Sequence, residues 1–244
     1  MFLLLVPALL AQRERTVRHP PQVTVPFVGC EAQGQLEDFN APTGTPRAVA
    51  ISSQNAQKLA YYEAAIGLGV LAPRGWHCRG SSGSAGDALW LSPDPINSHV
   101  PGSSGFAGPA IEIYHTLSAA SGRYSVAEIL ARVFPEYKVQ AAAVLAGIEQ
   151  AVPSGPHPED ALTYRSKSVV EFRTAPQSEG LGTHLTRLRK SSLPVSGAVI
   201  MLDKSIGEEL PDILLLAIRL PPALQQLTPV IVRQAEREAA VPAQ

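Results

Sequence analysis

The chain reads as a single α+β domain built on a mostly antiparallel sheet, with a few short helices and long loops rich in proline and glycine. Three observations carry that expectation. Candidate strands outnumber candidate helices and do not alternate with them, which argues against a doubly wound parallel sheet. Twenty-two prolines and 19 glycines fill about a sixth of the 244 residues, above the usual share of about 12%, so elements must be short and joined by rigid turns. Hydrophobic residues make up 45% of the chain against 17% charged and 6% aromatic. That is enough to bury one generous core, and too much for disorder along the whole length. Twenty basic residues against 21 acidic ones leave a formal charge of −1. Without a basic excess, neither a nucleic-acid partner nor an anionic membrane surface is expected.

Leu3 to Ala11 is an apolar run, too short for a bilayer, which takes about 20 residues. Its length matches the hydrophobic core of a signal peptide ending near Ala11 or Gln12. No Lys or Arg precedes it, and Arg13, Arg15 and Arg18 follow it. Residues 1–12 are therefore expected to direct export to the periplasm or the medium, residues 13–22 to form a polar, disordered lead-in, and residues 23–240 to form the domain. No later stretch is long and apolar enough to cross a membrane.

Export sets the redox context for the two cysteines, Cys30 and Cys78. In an oxidising compartment two lone thiols pair, and the closed loop would add roughly 4 kcal/mol in the chain-entropy model. The competing readings have less support. A lipidation motif at Phe27-Val28-Gly29-Cys30 is cut off from the apolar run by the charged, proline-bearing segment 13–26. A catalytic thiol at Cys78 has no base beside it in an extended chain. A zinc site lacks a spaced His pair.

Along the domain, Val23 to Val28 alternates as a strand, with Pro26 marking an edge or bend. Glu31 to Pro46 is loop, and Arg47 to Ile51 a short strand. Ser53 is placed to cap a helix over Gln54 to Ile66, where Leu59, Tyr62 and Ile66 recur at helical spacing and Gly67 ends the run. Gly69 to Gly86 shows neither period and reads as an apolar irregular loop pinned through Cys78. Ala88 to Leu91 is a short strand and Ser92 to Gly108 a loop. Ala110 to His115 is a half-buried strand, Ile111 and Ile113 alternating with Glu112 and Tyr114. Ser125 to Glu128 is a capping box opening a helix that Pro135 stops. Val139 to Gln150 is helical, interrupted near Gly147, and Pro153 to Pro158 a rigid loop. Strands follow at Leu162 to Phe172, Ala198 to Leu202 and Ile213 to Leu220. Thr228 and Pro229 start a last helix, Val230 to Ala239, whose Arg233, Glu236, Arg237 and Glu238 read as a solvated face.

Leu59-Ala60-Tyr61-Tyr62, followed by Gly69-Val70-Leu71-Ala72-Pro73-Arg74-Gly75-Trp76-His77-Cys78, resembles a family of exported bacterial proteins that shares a GVLAPRGWHC-like stretch. The similarity continues at Gly83–Gly86, Leu162–Ser166, Glu179–Thr183, Ser196–Val199, Pro211–Leu216 and Arg219–Pro222. It therefore spans about residues 24–240. It implies export, one domain and a cysteine beside a Trp-His pair, and it implies no activity.

The chemistry-bearing motifs are sparse. Gly67 to Ala72 matches the dinucleotide fingerprint in letters only, because it would close a helix rather than open one. Gly80 to Gly86 reads as a flexible turn without a G-x-S-x-G spacing. In Arg74 to Cys78, an extended chain puts Trp76 and Cys78 on one face and His77 on the other. The bland reading packs Trp76 on the disulfide and uses Arg74 to tie the loop; the functional one makes Arg74, Trp76 and His77 a surface. In Glu179 to His184, a hairpin turn between Phe172 and Leu188 explains the glycines, while Glu179, Thr183 and His184 could supply acid–base and hydrogen-bonding groups. No two of the six histidines stand at metal-ligand spacing, so no metal or cofactor is expected. His115 is most simply a rim or core residue.

Two functions compete. The first is a non-catalytic exported binding or envelope-associated protein with an unknown partner. The second is a secreted hydrolase whose site gathers His77, Glu179 and His184 with a serine of the 81–84 turn.

Overall fold

The computed structural model describes residues 22–97, 105–202 and 210–240. The expected signal segment and residues 13–21 of the lead-in lie outside them. Strands β1 (Gln22–Val25) and β2 (Phe27–Cys30) are split by Pro26, which brings no N–H to a ladder. β1 pairs with β5 (Arg47–Ala50), so Gln22 belongs to a strand rather than the lead-in. The intervening loop carries a two-residue ladder, β3 (Ala32–Gln33) with β4 (Asp38–Phe39).

The helix expected over 54–66 is not there. One turn, α1 (Ser53–Ala56), is capped by Ser52, whose Oγ accepts from Asn55 N at 3.3 Å. Leu59–Ala64 is strand β6, the centre of a three-stranded sheet in the order β2, β6, β7 (Gly69–Pro73). Leu59, Ala60, Tyr61 and Tyr62 are all buried. A strand covered on both sides loses its alternation, and the helical spacing of Leu59, Tyr62 and Ile66 is incidental. Gly67 does adopt a left-handed φ of 80°, but in the turn between β6 and β7. The stretch 69–86, expected as loop, is instead β7, then β8 (His77–Gly83), then the start of β9 (Gly86–Ser92). At Gly80 a Cβ would stand 2.9 Å from the Cβ atoms of Ala32 and Ala64. Glycine and serine serve close packing here and hide the strand period.

β10 (Ala110–Thr116) follows, longer than expected by one residue at its end. α2 (Arg123–Val133) starts after Gly122 with no side-chain cap, so the capping box at Ser125 does not form; Glu128 is engaged elsewhere. Pro135 stops it as expected, and α3 (Lys138–Ala146) ends at Gly147. Leu162–Phe172 is two strands rather than one, β11 (Asp160–Tyr164) and β12 (Val169–Thr174), turning where Arg165 N donates to Val169 O. After α4 (Leu181–His184) come β13 (Val195–Met201), β14 (Ile213–Arg219) and α5 (Thr228–Ala239). A 3-10 segment, Pro222–Leu227, leads into α5, and Thr228 begins that helix without capping it.

Nine strands form the main sheet in the order β11, β12, β13, β14, β10, β9, β8, β3, β4. Every pairing is antiparallel except β3 with β8. The fold is thus α+β and mostly antiparallel, as expected. Leu89, Ile113, Leu216 and Ala198 face a core shared with α5 and the three-stranded sheet. Ala217, Leu215, Val199 and Phe172 face a second core shared with α2, α3 and α4. Each Leu, Ile or Phe fully buried there contributes about 1.5–3 kcal/mol.

The disulfide forms. Cys30 on β2 and Cys78 on β8, Cα atoms 5.5 Å apart, join the small sheet to the large one. Beside it, Gly80 N donates to Glu31 O at 2.7 Å, and Arg79 pairs with Glu31 and Asp38 at 3.3 Å each. The polar face of α5 is not simply solvated. Arg237 donates to Ala50 O at 3.2 Å, and Glu238 accepts from Tyr61 Oη at 3.0 Å. Among the described residues no helix is long and apolar enough to cross a membrane.

Candidate functional site

On the face of the main sheet that carries α2, strand alternation lines up Ser81 of β8, Ala88 and Trp90 of β9, and Glu112 and Tyr114 of β10. Register sets them side by side: Arg79 opposite Trp90, Trp90 opposite Glu112, Ser81 opposite Ala88, and Ala88 opposite Tyr114. Toward β12 and β13 this face is roofed by helices. Over β8, β9 and β10 it forms the floor of a cleft of about 510 Å³. The walls are the segment His184–Arg187 on one side, and Gln35 with the Gly83–Gly86 hairpin turn on the other.

The wall at 184–187 is part of a 20-residue connection from β12 to β13, not the tight hairpin turn expected between Phe172 and Leu188. α4 docks on the sheet through Asp160, whose carboxylate accepts Thr174 Oγ1 at 2.6 Å and Leu181 N at 2.8 Å. The glycines serve this approach. A Cβ on Gly182 would stand 2.6 Å from the Val195 side chain. Thr183 is structural, its hydroxyl accepting from Gly180 N and donating to Ser178 O, both at 3.1 Å. Further along, Phe106 and Leu188 form a bridge. Arg219 of β14, fully buried, donates to the carbonyls of Phe106, Ala107, Gly108 and Arg189. This clamp fixes the backbone of Arg187, whose N–H donates to Glu112 Oε2 at 2.6 Å.

Glu112 is the unusual group. Alternation suggested an exposed position, yet the residue is 3% exposed, because Trp90 and the 184–187 wall cover it. Burial pushes its carboxyl up to about 7, against the pull of the Arg187 N–H, the nearby Trp90 indole and the Arg187 charge. Trp90 Nε1 is itself buried and completes no hydrogen bond. Tyr114, next along the same face, is pushed up by burial and by the Glu112 charge.

Beside the cleft, His184 is held between two carboxylates. Its Nε2 lies 2.9 Å from Glu128 Oε1 and its Nδ1 3.2 Å from Glu179 Oε1. Glu128 also accepts from Arg132 at 3.0 Å and Gln150 at 3.3 Å. Burial raises its carboxyl, but the Arg132 hydrogen bond and the His184 charge outweigh burial and hold it below the usual range. Glu179 is lowered by its hydrogen bond from Lys190, 3.3 Å away. His157 lies against His184 with ring centroids 5.2 Å apart, and burial lowers it.

The expected hydrolase constellation is therefore only half assembled. Glu179 and His184 meet, and His184, Ser81 and Ser84 line one cleft. His184 Nε2 is engaged by Glu128 Oε1 at 2.9 Å rather than by a serine, and Ser84 Oγ pairs with Ser121 Oγ at 3.0 Å. His77 is exposed at the start of β8, four residues from Ser81, about 13 Å along an extended strand. As expected, it faces away from Cys78, which packs with Trp76 on the core beneath the sheet. Arg74 ties its loop by donating to Leu59 O at 3.0 Å and Ala56 O at 2.7 Å. Among the described residues no cluster of His, Cys, Asp or Glu could hold a metal ion. His115 lies at a rim, 3.7 Å from Asp212.

A second groove, about 440 Å³, runs between β11–β13 and α5. Its carboxylate, Glu171, is satisfied by Arg165 at 2.6 Å, and the cleft over β8–β10 offers more chemistry. Comparison with protein-family models, with curated proteins and with solved structures finds no match to this chain.

Proposed function

We propose that this chain is an exported bacterial binding protein of the periplasm or the medium. It takes a small polar molecule in the cleft over β8–β10 and does no covalent chemistry on it. One observation carries the reading: a fully buried carboxyl, Glu112, on the floor of a cleft of about 510 Å³, within the size range of small-molecule sites. The engagement of His184 Nε2 by Glu128 weighs against nucleophilic hydrolysis, which needs a base positioned to accept the serine proton. Export is supported by the Cys30–Cys78 disulfide, a bond that persists in oxidising compartments, and by the apolar run Leu3–Ala11.

The test is a thermal-shift screen of the oxidised protein against L-amino acids, polyamines, monosaccharides and nucleosides. It is run beside Ser81→Phe and Gln35→Trp, which narrow the cleft from its floor and its rim. Stabilisation of the native protein that both variants abolish supports the reading. A screen without a hit, or a hit that survives both variants, overturns it. Hydrolysis of a chromogenic ester, lost in His184→Ala, would return the hydrolase reading.

A further inference from the structure

Glu112 and Arg187 place opposite charges in one cleft without forming an ion pair. The Glu112 carboxyl meets the Arg187 backbone N–H, but neither side chain enters an ion pair among the described residues. The guanidinium stands on an exposed wall residue, the carboxyl on the buried floor. A buried carboxylate is stabilised most by a cation brought to it. Trp90 stands opposite Glu112 in the sheet, and Tyr114 follows two residues along β10. Trp90 lines the cleft with a buried indole N–H that lies close enough to Glu112 to draw its carboxyl down.

We infer that the cleft binds a small amphoteric amine of the α-amino-acid type, its ammonium against Glu112 and its carboxylate on the Arg187 guanidinium. This rests on the cleft being the binding site proposed above. A neutral sugar would leave both charges unused, and a simple anion would meet the carboxyl floor.

The test is calorimetric titration of the oxidised protein with L-leucine, L-lysine, isopentylamine, 4-methylpentanoate and D-glucose. Leucine or lysine should bind, and removal of either charged group of leucine should weaken binding by about 10- to 100-fold. Glu112→Gln and Arg187→Gln should each cost a similar factor, with cooperative melts showing that both variants fold. Equal binding of leucine and isopentylamine, or amino-acid binding unchanged in Glu112→Gln, overturns the inference. Glucose binding that Ser81→Phe removes, with no amino-acid binding, overturns it too while leaving the cleft as a site. Silence from all five probes and from the broader screen overturns both readings.

Discussion

Replacing Glu112 by glutamine should make the protein more stable at neutral pH and leave it unchanged in acid. The carboxyl stands at about 7 in the fold against an ordinary 4.5, chiefly because it is buried. Between those values the unfolded chain loses the proton while the folded chain keeps it. The native state then binds more protons than the unfolded one, and stability falls as pH rises. The fall begins near the lower value and is complete above the upper one. At about 1.4 kcal/mol per pH unit, it amounts to roughly 3 kcal/mol. Glutamine has a similar shape, does not titrate, and still offers an oxygen to the Arg187 N–H. Glu236 and Glu238, also raised by burial, and the lowered Glu128 and Glu179 are common to both proteins and cancel in the difference. Urea unfolding followed by circular dichroism at about pH 4 and about pH 8.5 reads it directly. The two proteins should coincide in acid. In base the variant should lead by roughly 3 kcal/mol, or about 6–12 °C in melting temperature. A difference that does not depend on pH, or a native protein that is the more stable in base, refutes the reasoning.

Reduction of Cys30–Cys78 should lower the melting temperature by several degrees, because about 2–4 kcal/mol of chain restriction is lost; a melt unchanged by reductant contradicts this. Arg219→Met leaves the carbonyls of Phe106, Ala107, Gly108 and Arg189 without their shared donor. It should cost about 3 kcal/mol or more in urea unfolding, and an unshifted midpoint shows that the clamp is dispensable. Gly182→Ala drives a methyl toward Val195. It should destabilise by about 1–3 kcal/mol, measured as a lower melting temperature; an unchanged melt shows that α4 yields freely.

The disulfide, the antiparallel sheet and the strands around 110–116, 195–201 and 213–219 were legible because each rests on a local rule. These are two thiols in a chain expected to be exported, apolar alternation, and runs bounded by proline. β6 was hidden because both its faces are covered, so its buried residues run on without a period. β8 was hidden because glycine and serine stand where bulkier side chains would have marked its faces. The site was half legible. Glu179 and His184 do meet, but the partner that closes the arrangement is Glu128, 56 positions away on α2. Helix patterning read that residue as a capping glutamate. Glu112 was passed over because alternation reads Ile111-Glu112-Ile113-Tyr114 as one wet and one dry face. Its burial depends on a wall built from residues 184–187, a contact across 75 positions. The available signal was a lone carboxyl between two isoleucines of one strand, flanked in the sheet by a tryptophan.

The most direct measurement uses the two tryptophans. Trp76→Phe leaves Trp90, on the cleft floor, as the protein's sole indole. Its emission should change saturably as L-leucine or L-lysine is added, and Ser81→Phe in the same background should abolish the change. An emission spectrum indifferent to both amino acids, from a variant that melts cooperatively, would contradict a ligand seated between Glu112 and Arg187.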